Sequence, residues 1–353
     1  MGIIGFIVLV VAFLAIAPRF LFGIRDLSHL DSTPYPVRQQ PPSEGLNEVL
    51  AQIRELHQTV KPLKGKAKLN ALRQFMDHLN DDLDITSELR PQNEPPGEWV
   101  LADGADTSRR LLYIHGGGWL VGSPRSHRAI TERLSHKTGA AVFALDYRLM
   151  PEHRFMDGVE DCRKAYRWLL DNGPNGPEPA SFMVVAGDSA GGSHTLALIA
   201  WLRDQGLRQA DAAIALAPST DLTLTAPSNR NNLATDALLG PMAGPMGKAP
   251  RWLSWWLTLL AFRVSPTNPA ASPLRGNLAN LPPTLIHATD QEMLLDNARR
   301  YATAARNAGS PVELHIWPGL VHVWHMFRQQ LPEAEEAFDD IQHFLESVEA
   351  KRR

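Results

Sequence analysis

The sequence has few of the features that mark several large classes of protein. Its 353 residues include a single cysteine, Cys162, which excludes an intramolecular disulfide and a metal site built from several thiolates. The formal net charge is −3, so the basic excess typical of nucleic-acid-binding proteins is missing. Internal repeats, phosphate-binding loops and dinucleotide-binding glycine patterns are also missing. We therefore expect no nucleic-acid partner, no organic cofactor and no metal.

The chain does have enough apolar material for a large core, since 44% of its residues are hydrophobic. Apolar runs predict strands near residues 98–102, 110–114, 140–146, 182–187, 212–217, 283–288 and 312–317. Helix-like segments fill most of the gaps between these runs. Such alternation predicts an α/β fold with a mostly parallel central sheet flanked by helices, and reactive groups at the carboxyl ends of the strands.

The most informative motif is Gly187–Gly191, which reads Gly-Asp-Ser-Ala-Gly between a predicted strand and a predicted helix. A serine on so sharp a turn is lifted above the sheet, and the glycines leave room where a Cβ atom would collide. The first N–H groups of the helix favour negative charge beside the hydroxyl. Ser189 is therefore the candidate nucleophile, although this short pattern is weak by itself.

Two other stretches strengthen the pattern. His115–Trp119 reads His-Gly-Gly-Gly-Trp and follows the strand-like Arg110–Ile114. Backbone without Cβ atoms can approach a ligand closely and direct its N–H groups at a developing oxyanion. Asp146–His153 reads Asp-Tyr-Arg-Leu-Met-Pro-Glu-His and is followed by the helix-like Glu160–Leu169.

Together these stretches resemble the hormone-sensitive-lipase-like family of α/β-hydrolase esterases, from about Trp99 to about Phe344. The resemblance implies the α/β-hydrolase fold and a serine, an acid and a histidine that follow one another in that order along the chain. It also implies an oxyanion hole formed by the backbone N–H groups of Gly117, Gly118 and Ala190.

The base is expected in a loop that follows a late strand. His322 occupies such a loop after the strand-like Val312–Trp317, at the position where the family has its base. His325 is a competitor three residues further on, but we expect it at the start of a helix. His315 alternates within the strand itself. We therefore predict that His322 is the general base.

The acid is less clearly defined, because Asp290, Glu292 and Asp296 all follow the strand-like Thr284–Ala288. Many family members have Asp-Pro-Leu-x-Asp-Glu here, and Glu292 aligns with the first, catalytic aspartate of that pattern. A glutamate can replace it, because the group only accepts a hydrogen bond from the base and stabilises its charged form. Asp290 is the alternative acid; otherwise Asp290 and Asp296 suit the start of a helix.

Two segments interrupt the alternation of strands and helices, about Pro42–Asp82 and about Leu222–Pro269. In the family these segments pack together as a cap over the serine. The resulting expectation is a membrane anchor at residues 1–25, a linker with amino-terminal cap helices at 26–97, and a catalytic domain at 98–350 whose cap insertion spans about 222–269.

The amino terminus is the other strong feature, because Gly2–Ala17 carries no charge. Apolar residues resume after Pro18 and Arg19, and about twenty of them can cross a hydrocarbon core. This run predicts an N-terminal transmembrane helix that anchors the protein, with the catalytic domain on the cytoplasmic side of the membrane. The alternatives are a signal peptide cleaved after Ala15–Ala17 and a buried helix.

The resemblance implies a serine carboxylesterase that hydrolyses short- to medium-chain carboxylic esters, or lactones, through an acyl-enzyme on Ser189. An amide-cleaving serine hydrolase on the same scaffold is the first alternative. A non-catalytic ligand receptor of the same fold is less favoured, because such receptors tend to lose the base and His322 is present. The expected partners are a small-molecule ester and, through the amino-terminal helix, a membrane.

Overall fold

The computed structural model describes the backbone of residues 3–352 and the side chains of all of these except residues 3–9, 11, 245 and 246. An eight-stranded sheet lies at its centre. The strands are β1 Glu88–Gln92, β2 Gly97–Leu101, β3 Asp106–Ile114, β4 Ala140–Leu145, β5 Phe182–Asp188, β6 Ala212–Leu216, β7 Thr284–Thr289 and β8 Val312–Trp317.

The strand order across the sheet is β1-β2-β4-β3-β5-β6-β7-β8. Strand β2 is antiparallel to both of its neighbours, and every pairing from β4 to β8 is parallel. This arrangement confirms the predicted α/β-hydrolase fold with its mostly parallel sheet. In this topology the carboxyl ends of the parallel strands share one edge, where loops can bring distant residues together.

Helices cover both faces of the sheet, which explains why the central strands are almost continuously apolar. The helices are α1 Ile3–Leu21, α2 Leu46–Val60, α3 Gly65–His78, α4 Arg128–Thr138, α5 Phe155–Leu169, α6 Ser189–Asp204, α7 Ser228–Asn231, α8 Leu239–Ala243, α9 Arg251–Phe262, α10 Leu295–Asn307 and α11 Pro332–Arg352. Buried residues of α5, α6 and α10 form the core on one face, and residues of α2, α4 and α11 form it on the other.

Strand β1 is a feature that the sequence did not predict. It contains Pro91, its residues are only partly buried, and it pairs with β2 alone. A proline removes one hydrogen-bond donor, which an edge strand tolerates because its outer side has no partner strand. The apolar pattern that reveals the buried strands is therefore missing here.

The amino-terminal helix α1 lies against α9. The indole Nε1–H of Trp256 donates a hydrogen bond to the Leu14 carbonyl at 2.9 Å, and the rings of Trp256 and Phe22 meet edge to face at 5.5 Å. The Thr267 hydroxyl donates to the Phe22 carbonyl at 2.6 Å. The helix also contains Pro18 and ends close to Arg19. Part of its surface is thus used in contacts with the rest of the chain.

The predicted membrane anchor is wrong. Among the residues that the structure describes, no helix combines the length and the apolar character needed to cross a bilayer. The prediction of an N-terminal transmembrane helix therefore fails, and with it fail the membrane partner and the membrane localisation with a cytoplasmic catalytic domain. Met1 and Gly2, where the predicted anchor begins, lie outside the described residues.

Candidate active site

Ser189 lies on a sharp turn where β5 passes directly into α6. It is the first residue of the helix and has a φ of 50°, a strained value for a residue with a side chain. Gly191 allows the turn to approach β3, since a Cβ atom there would lie 1.9 Å from the Ile114 carbonyl oxygen. The local sequence thus permits a close crossing that raises the serine above the sheet.

His322 connects Ser189 to Glu292 through two short hydrogen bonds. Its Nε2 lies 3.0 Å from the Ser189 Oγ, and its Nδ1 lies 2.6 Å from the Glu292 Oε2. The other oxygen of Glu292 accepts the Thr289 backbone N–H at 3.1 Å. Glu292 is fully buried and His322 is 3% exposed. The structure therefore brings together the three side chains predicted as nucleophile, base and acid.

Asp290, the alternative acid, points into a different set of contacts. Its Oδ1 accepts the Gly319 backbone N–H at 2.7 Å and the Gln291 side-chain amide at 2.8 Å. The bond with Gly319 ties the loop after β7 to the loop after β8. Asp296, the third carboxylate in this stretch, accepts the Ser228 backbone N–H at 2.8 Å. Only Glu292 of these three carboxylates forms a hydrogen bond with His322 in the described chain.

The pKa of His322 is set by opposing influences. Burial lowers it, but the hydrogen bond and negative charge of Glu292, with further charge from Asp236 and Asp188, raise it above the ordinary value of 6.5 overall. Burial raises the pKa of Glu292, and the hydrogen bond with His322 opposes that rise. Glu292 thus stabilises the imidazolium ion that His322 becomes when it takes up a proton.

The glycine loop supplies two backbone N–H groups near Ser189, and Ala190 of α6 supplies a third. Gly117 and Gly118 have φ values of 107° and 62°, and a Cβ atom at Gly117 would lie 2.1 Å from the Val121 carbonyl oxygen. In the described chain, the N–H groups of Gly117, Gly118 and Ala190 have no protein acceptor. Free donors of this kind suit a developing oxyanion.

Asp188 joins the turn to the glycine loop. Its Oδ1 accepts the Tyr113 hydroxyl at 2.7 Å and the Gly116 backbone N–H at 2.9 Å. Burial raises the pKa of Asp188, but nearby His127 and the Tyr113 hydrogen bond outweigh burial and lower it overall. The carboxylate thus stays ionised and holds the two loops together, and its position below the turn is that of a structural acceptor.

His115 organises the glycine loop from the other side. Burial lowers its pKa to about 3, so the ring is neutral and its Nδ1–H donates to the Gly116 carbonyl at 2.8 Å. The ring stacks on Tyr147 at 4.4 Å, and the Tyr147 hydroxyl donates to the His115 carbonyl at 2.9 Å. The loop conformation is thus fixed by a buried polar network.

Two residues that hold the acid loop were missed by sequence reasoning. The Asn232 side-chain amide donates to the carbonyls of Asp290 and Glu292, each at 2.9 Å. The Asp236 carboxylate accepts the Met293 backbone N–H at 2.8 Å. Both lie in the segment after β6, far along the chain from the loop they hold. Nothing in their local sequence distinguishes them from ordinary polar loop residues.

The competing histidines lie in a separate cluster with Asp340. The carboxylate Oδ2 accepts His315 Nδ1–H at 2.6 Å and His287 Nε2–H at 3.0 Å, and Arg38 is 3.0 Å away. His325 Nε2 lies 3.1 Å from His287 Nδ1. The side-chain nitrogen and oxygen atoms of His287, His315 and Asp340 lie close enough together to ligate one metal ion. However, the Asp340 carboxylate is already satisfied by its hydrogen bonds and by Arg38.

Apolar side chains surround Ala190 beside the candidate nucleophile. The Trp119 ring packs edge to face on Phe262 of α9 at 5.1 Å and on Phe155 at 5.9 Å. Leu222, after β6, belongs to the same cluster. The walls near the serine are therefore largely hydrocarbon, which suits the apolar part of a small organic substrate.

Known proteins resemble this chain over most of its length. A family model described as an alpha/beta hydrolase fold matches residues 111–326. An acetyl-hydrolase of Streptomyces hygroscopicus is 39% identical over 251 residues, which cover 71% of this chain and 79% of the relative. An esterase of Acinetobacter venetianus is 32% identical over 284 residues, covering 79% of this chain and 89% of the relative.

Solved structures agree with these sequence matches. The crystal structure of an esterase from the bacterial hormone-sensitive lipase family superimposes with a TM-score of 0.74 at 32% identity. The superposition covers 88% of this chain and 99% of that one. The likeness thus extends through the sheet and its flanking helices.

Proposed function

Because the chain belongs to the hormone-sensitive-lipase-like α/β-hydrolase esterases and is a serine carboxylesterase, we propose that it hydrolyses its ester through an acyl-enzyme on Ser189. The observation that carries this proposal is the pair of hydrogen bonds at His322. They run to the Ser189 Oγ at 3.0 Å and to the Glu292 Oε2 at 2.6 Å.

In the first half of the reaction, the Ser189 Oγ attacks the ester carbonyl carbon while His322 Nε2 removes the hydroxyl proton. Glu292 accepts the Nδ1–H bond and stabilises the imidazolium that forms. The carbonyl oxygen becomes an oxyanion held by the N–H groups of Gly117, Gly118 and Ala190. The tetrahedral intermediate then expels the alcohol, which takes the proton from His322.

In the second half, a water molecule takes the place of the serine hydroxyl. His322 removes a proton from this water as its oxygen attacks the acyl carbonyl, and the same N–H groups stabilise the second oxyanion. Collapse of this intermediate returns the proton to Ser189 Oγ and releases the carboxylic acid. Every group therefore serves both halves, and no cofactor is required.

The substrates that suit this site are esters with short to medium acyl chains. The aromatic rings of Trp119, Phe155 and Phe262 pack together beside Ala190, where they would contact the acyl chain and limit its length. Helices α2 and α3, with the segment at about 222–269 that includes α9, would form the cap over the serine. The described relatives are an acetyl-hydrolase and esterases, so no observation favours amide cleavage.

The test is removal of the nucleophilic oxygen. Ser189→Ala should lower kcat/KM for p-nitrophenyl butyrate by at least about a thousandfold, because attack on the carbonyl is lost. Ser193→Ala is a matched control, since Ser193 lies one turn further along α6 and is also buried. The control should retain most activity. Comparable activity in Ser189→Ala, with circular dichroism showing a folded protein, would reject the proposal.

A further inference from the structure

A charged cleft separate from the triad lies between the amino-terminal segment and helices α7, α9 and α10. Its volume is about 550 Å³, a size typical of small-molecule sites. Five arginines and two aspartates contribute to its lining, so three positive charges are in excess. The arginines are Arg19, Arg25, Arg230, Arg251 and Arg300.

Most of these arginines lack an acidic partner. Arg300 is paired, because its guanidinium holds both oxygens of Asp31 at 2.6 and 2.7 Å. In the described part of the chain, none of the other four forms an ion pair with a carboxylate. Arg230 donates to the carbonyl of Ala249 at 2.7 Å, which leaves its charge uncompensated. Four guanidinium charges therefore remain available to an anion.

Of these four arginines, Arg251 gives the strongest indication of a missing ligand. Its Nε atom is buried and has no hydrogen-bond partner among the described residues, which is costly for so polar a group. Burial and the charges of Arg230 and Arg300 lower the pKa of its guanidinium. A cleft whose arginines outnumber its aspartates by three has a field that favours anions. An anionic ligand would relieve both the repulsion and the missing hydrogen bond.

The acidic groups at the cleft do not cancel this field. Asp31 is neutralised by Arg300, as described above. Asp26 is exposed and accepts the backbone N–H of Ser28 at 2.9 Å and the Ser28 hydroxyl at 3.1 Å. The pKa of Asp26 is lowered, first by these Ser28 hydrogen bonds and then by Arg300 and Arg19. The Asp26 carboxylate is thus used in hydrogen bonds within its own turn and forms no ion pair with an arginine of the cleft in the described chain.

We propose that this cleft binds a small organic molecule that carries a phosphate group. Guanidinium groups pair with phosphate oxygens through two parallel hydrogen bonds, and a phosphate monoester carries about 1.5 to 2 negative charges near neutral pH. The cleft is much larger than a phosphate ion, and Trp255 and Ile24 give it apolar surface. Arg230 and Arg251 hold the phosphate, and the organic group lies against Trp255.

Isothermal titration calorimetry with phenyl phosphate and the full-length protein tests this site. In buffer with about 150 mM salt, which screens weak surface attraction, we expect saturable binding with a Kd below about 1 mM. Inorganic phosphate should bind at least about tenfold more weakly, because it lacks the aromatic group. Ser189→Ala should bind phenyl phosphate unchanged, since the cleft is separate from the triad.

Charge-removing variants identify the residues. Arg251→Gln and Arg230→Gln should each weaken phenyl phosphate binding at least about tenfold, as expected for lost charge-assisted hydrogen bonds. Arg54→Gln on α2 is the control, because it removes the same charge outside the cleft. The proposal would be overturned if phenyl phosphate binding did not saturate or if inorganic phosphate bound with equal affinity. It would also be overturned if folded Arg251→Gln and Arg230→Gln bound phenyl phosphate as well as wild type does, or if Arg54→Gln lost binding to the same extent as they do.

Discussion

The orientation of one imidazole depends on what each of its nitrogens contacts. Glu292 accepts the Nδ1–H of His322 at 2.6 Å, and the Thr289 N–H fixes the other oxygen of Glu292 at 3.1 Å. With Nδ1 protonated, Nε2 presents its lone pair to Ser189. A carboxylate at this position therefore selects the tautomer that can take the serine proton.

Removing the charge of Glu292 should consequently lower the catalytic rate strongly. We expect Glu292→Gln to lower kcat by about 10²- to 10⁴-fold, because the amide stabilises the wrong tautomer and no longer supports the imidazolium. Asp290→Asn is the comparison, since Asp290 bonds to Gly319 and Gln291 instead. Its loss should be under about tenfold. Steady-state kinetics on a p-nitrophenyl ester measures both, and the reverse ranking would transfer the acid role to Asp290.

The pH dependence of activity should report His322. A base must be unprotonated, and the pKa of His322 is raised above 6.5 by Glu292 despite burial, so kcat/KM should rise with pH through a value above 6.5. In Glu292→Gln the raising influence is lost, and the residual activity should persist to lower pH. A rate profile from pH 5 to 9 measures this; a flat wild-type profile would contradict an imidazole base.

At the scale of elements, helix α9 connects the amino-terminal helix to the walls near the serine. Its Trp256 contacts α1, and its Phe262 packs on Trp119 next to the glycine loop. Trp255 Nε1–H donates to the Thr223 carbonyl at 2.7 Å, which fixes the helix to the segment after β6. The last turn of α9 is thus positioned to limit the space beside Ala190.

Shortening Phe262 should lengthen the acyl chain that the enzyme accepts. In Phe262→Ala, the space left by the ring can hold several methylene groups, each worth about 0.8 kcal/mol when buried. We expect the ratio of kcat/KM for octanoyl over butyryl p-nitrophenyl esters to rise about tenfold. Leu260→Ala on the same helix is the control, because Leu260 is 71% exposed. An unchanged ratio in Phe262→Ala would show that α9 does not contact the acyl chain of the substrate.

At the scale of the molecule, Asp340 of α11 ties several distant segments together. It accepts hydrogen bonds from His287 of β7 and His315 of β8 and pairs with Arg38, whose backbone N–H bonds to β8 at the Ile316 carbonyl. Burial raises the pKa of Asp340, but the two histidines outweigh it and lower that pKa overall. The carboxylate therefore stabilises the fold in its charged form.

Asp340→Asn should lower the free energy of unfolding at pH 7 by about 2 kcal/mol, because charge-assisted hydrogen bonds are lost. A carboxylate with a lowered folded pKa contributes fully above its unfolded pKa, near 4, and loses the contribution as pH falls further. The difference from wild type should hence shrink below about pH 4.

Urea unfolding at pH 7 and pH 3.5 provides the measurement. Asp339→Asn is the matched control on α11, because Asp339 is half exposed and pairs with Lys137 at the surface. It should cost less than about 1 kcal/mol. Equal losses for the two variants would show that the cluster around Asp340 stabilises the fold no more than a surface ion pair does.

Individual residues show how far the sequence was informative. The glycines around Ser189 and in the loop after His115 predicted tight turns, because only residues without a Cβ atom fit those crossings. Helix α1 was wrongly predicted to span a membrane, since apolar character alone does not tell whether a helix packs on protein or in lipid. Strand β1 was missed because an edge strand needs no continuous apolar run.

The order of strands and helices, the parallel sheet, the turn at Ser189 and the loop of His322 followed from local patterns, because apolar periodicity and glycine placement act over a few residues. Other features required the folded chain, because they depend on contacts between residues far apart in sequence. Tertiary packing put Glu292 rather than Asp290 against His322, placed Asn232 and Asp236 behind that loop, and gathered the arginines of the cleft from the amino terminus, α7, α9 and α10.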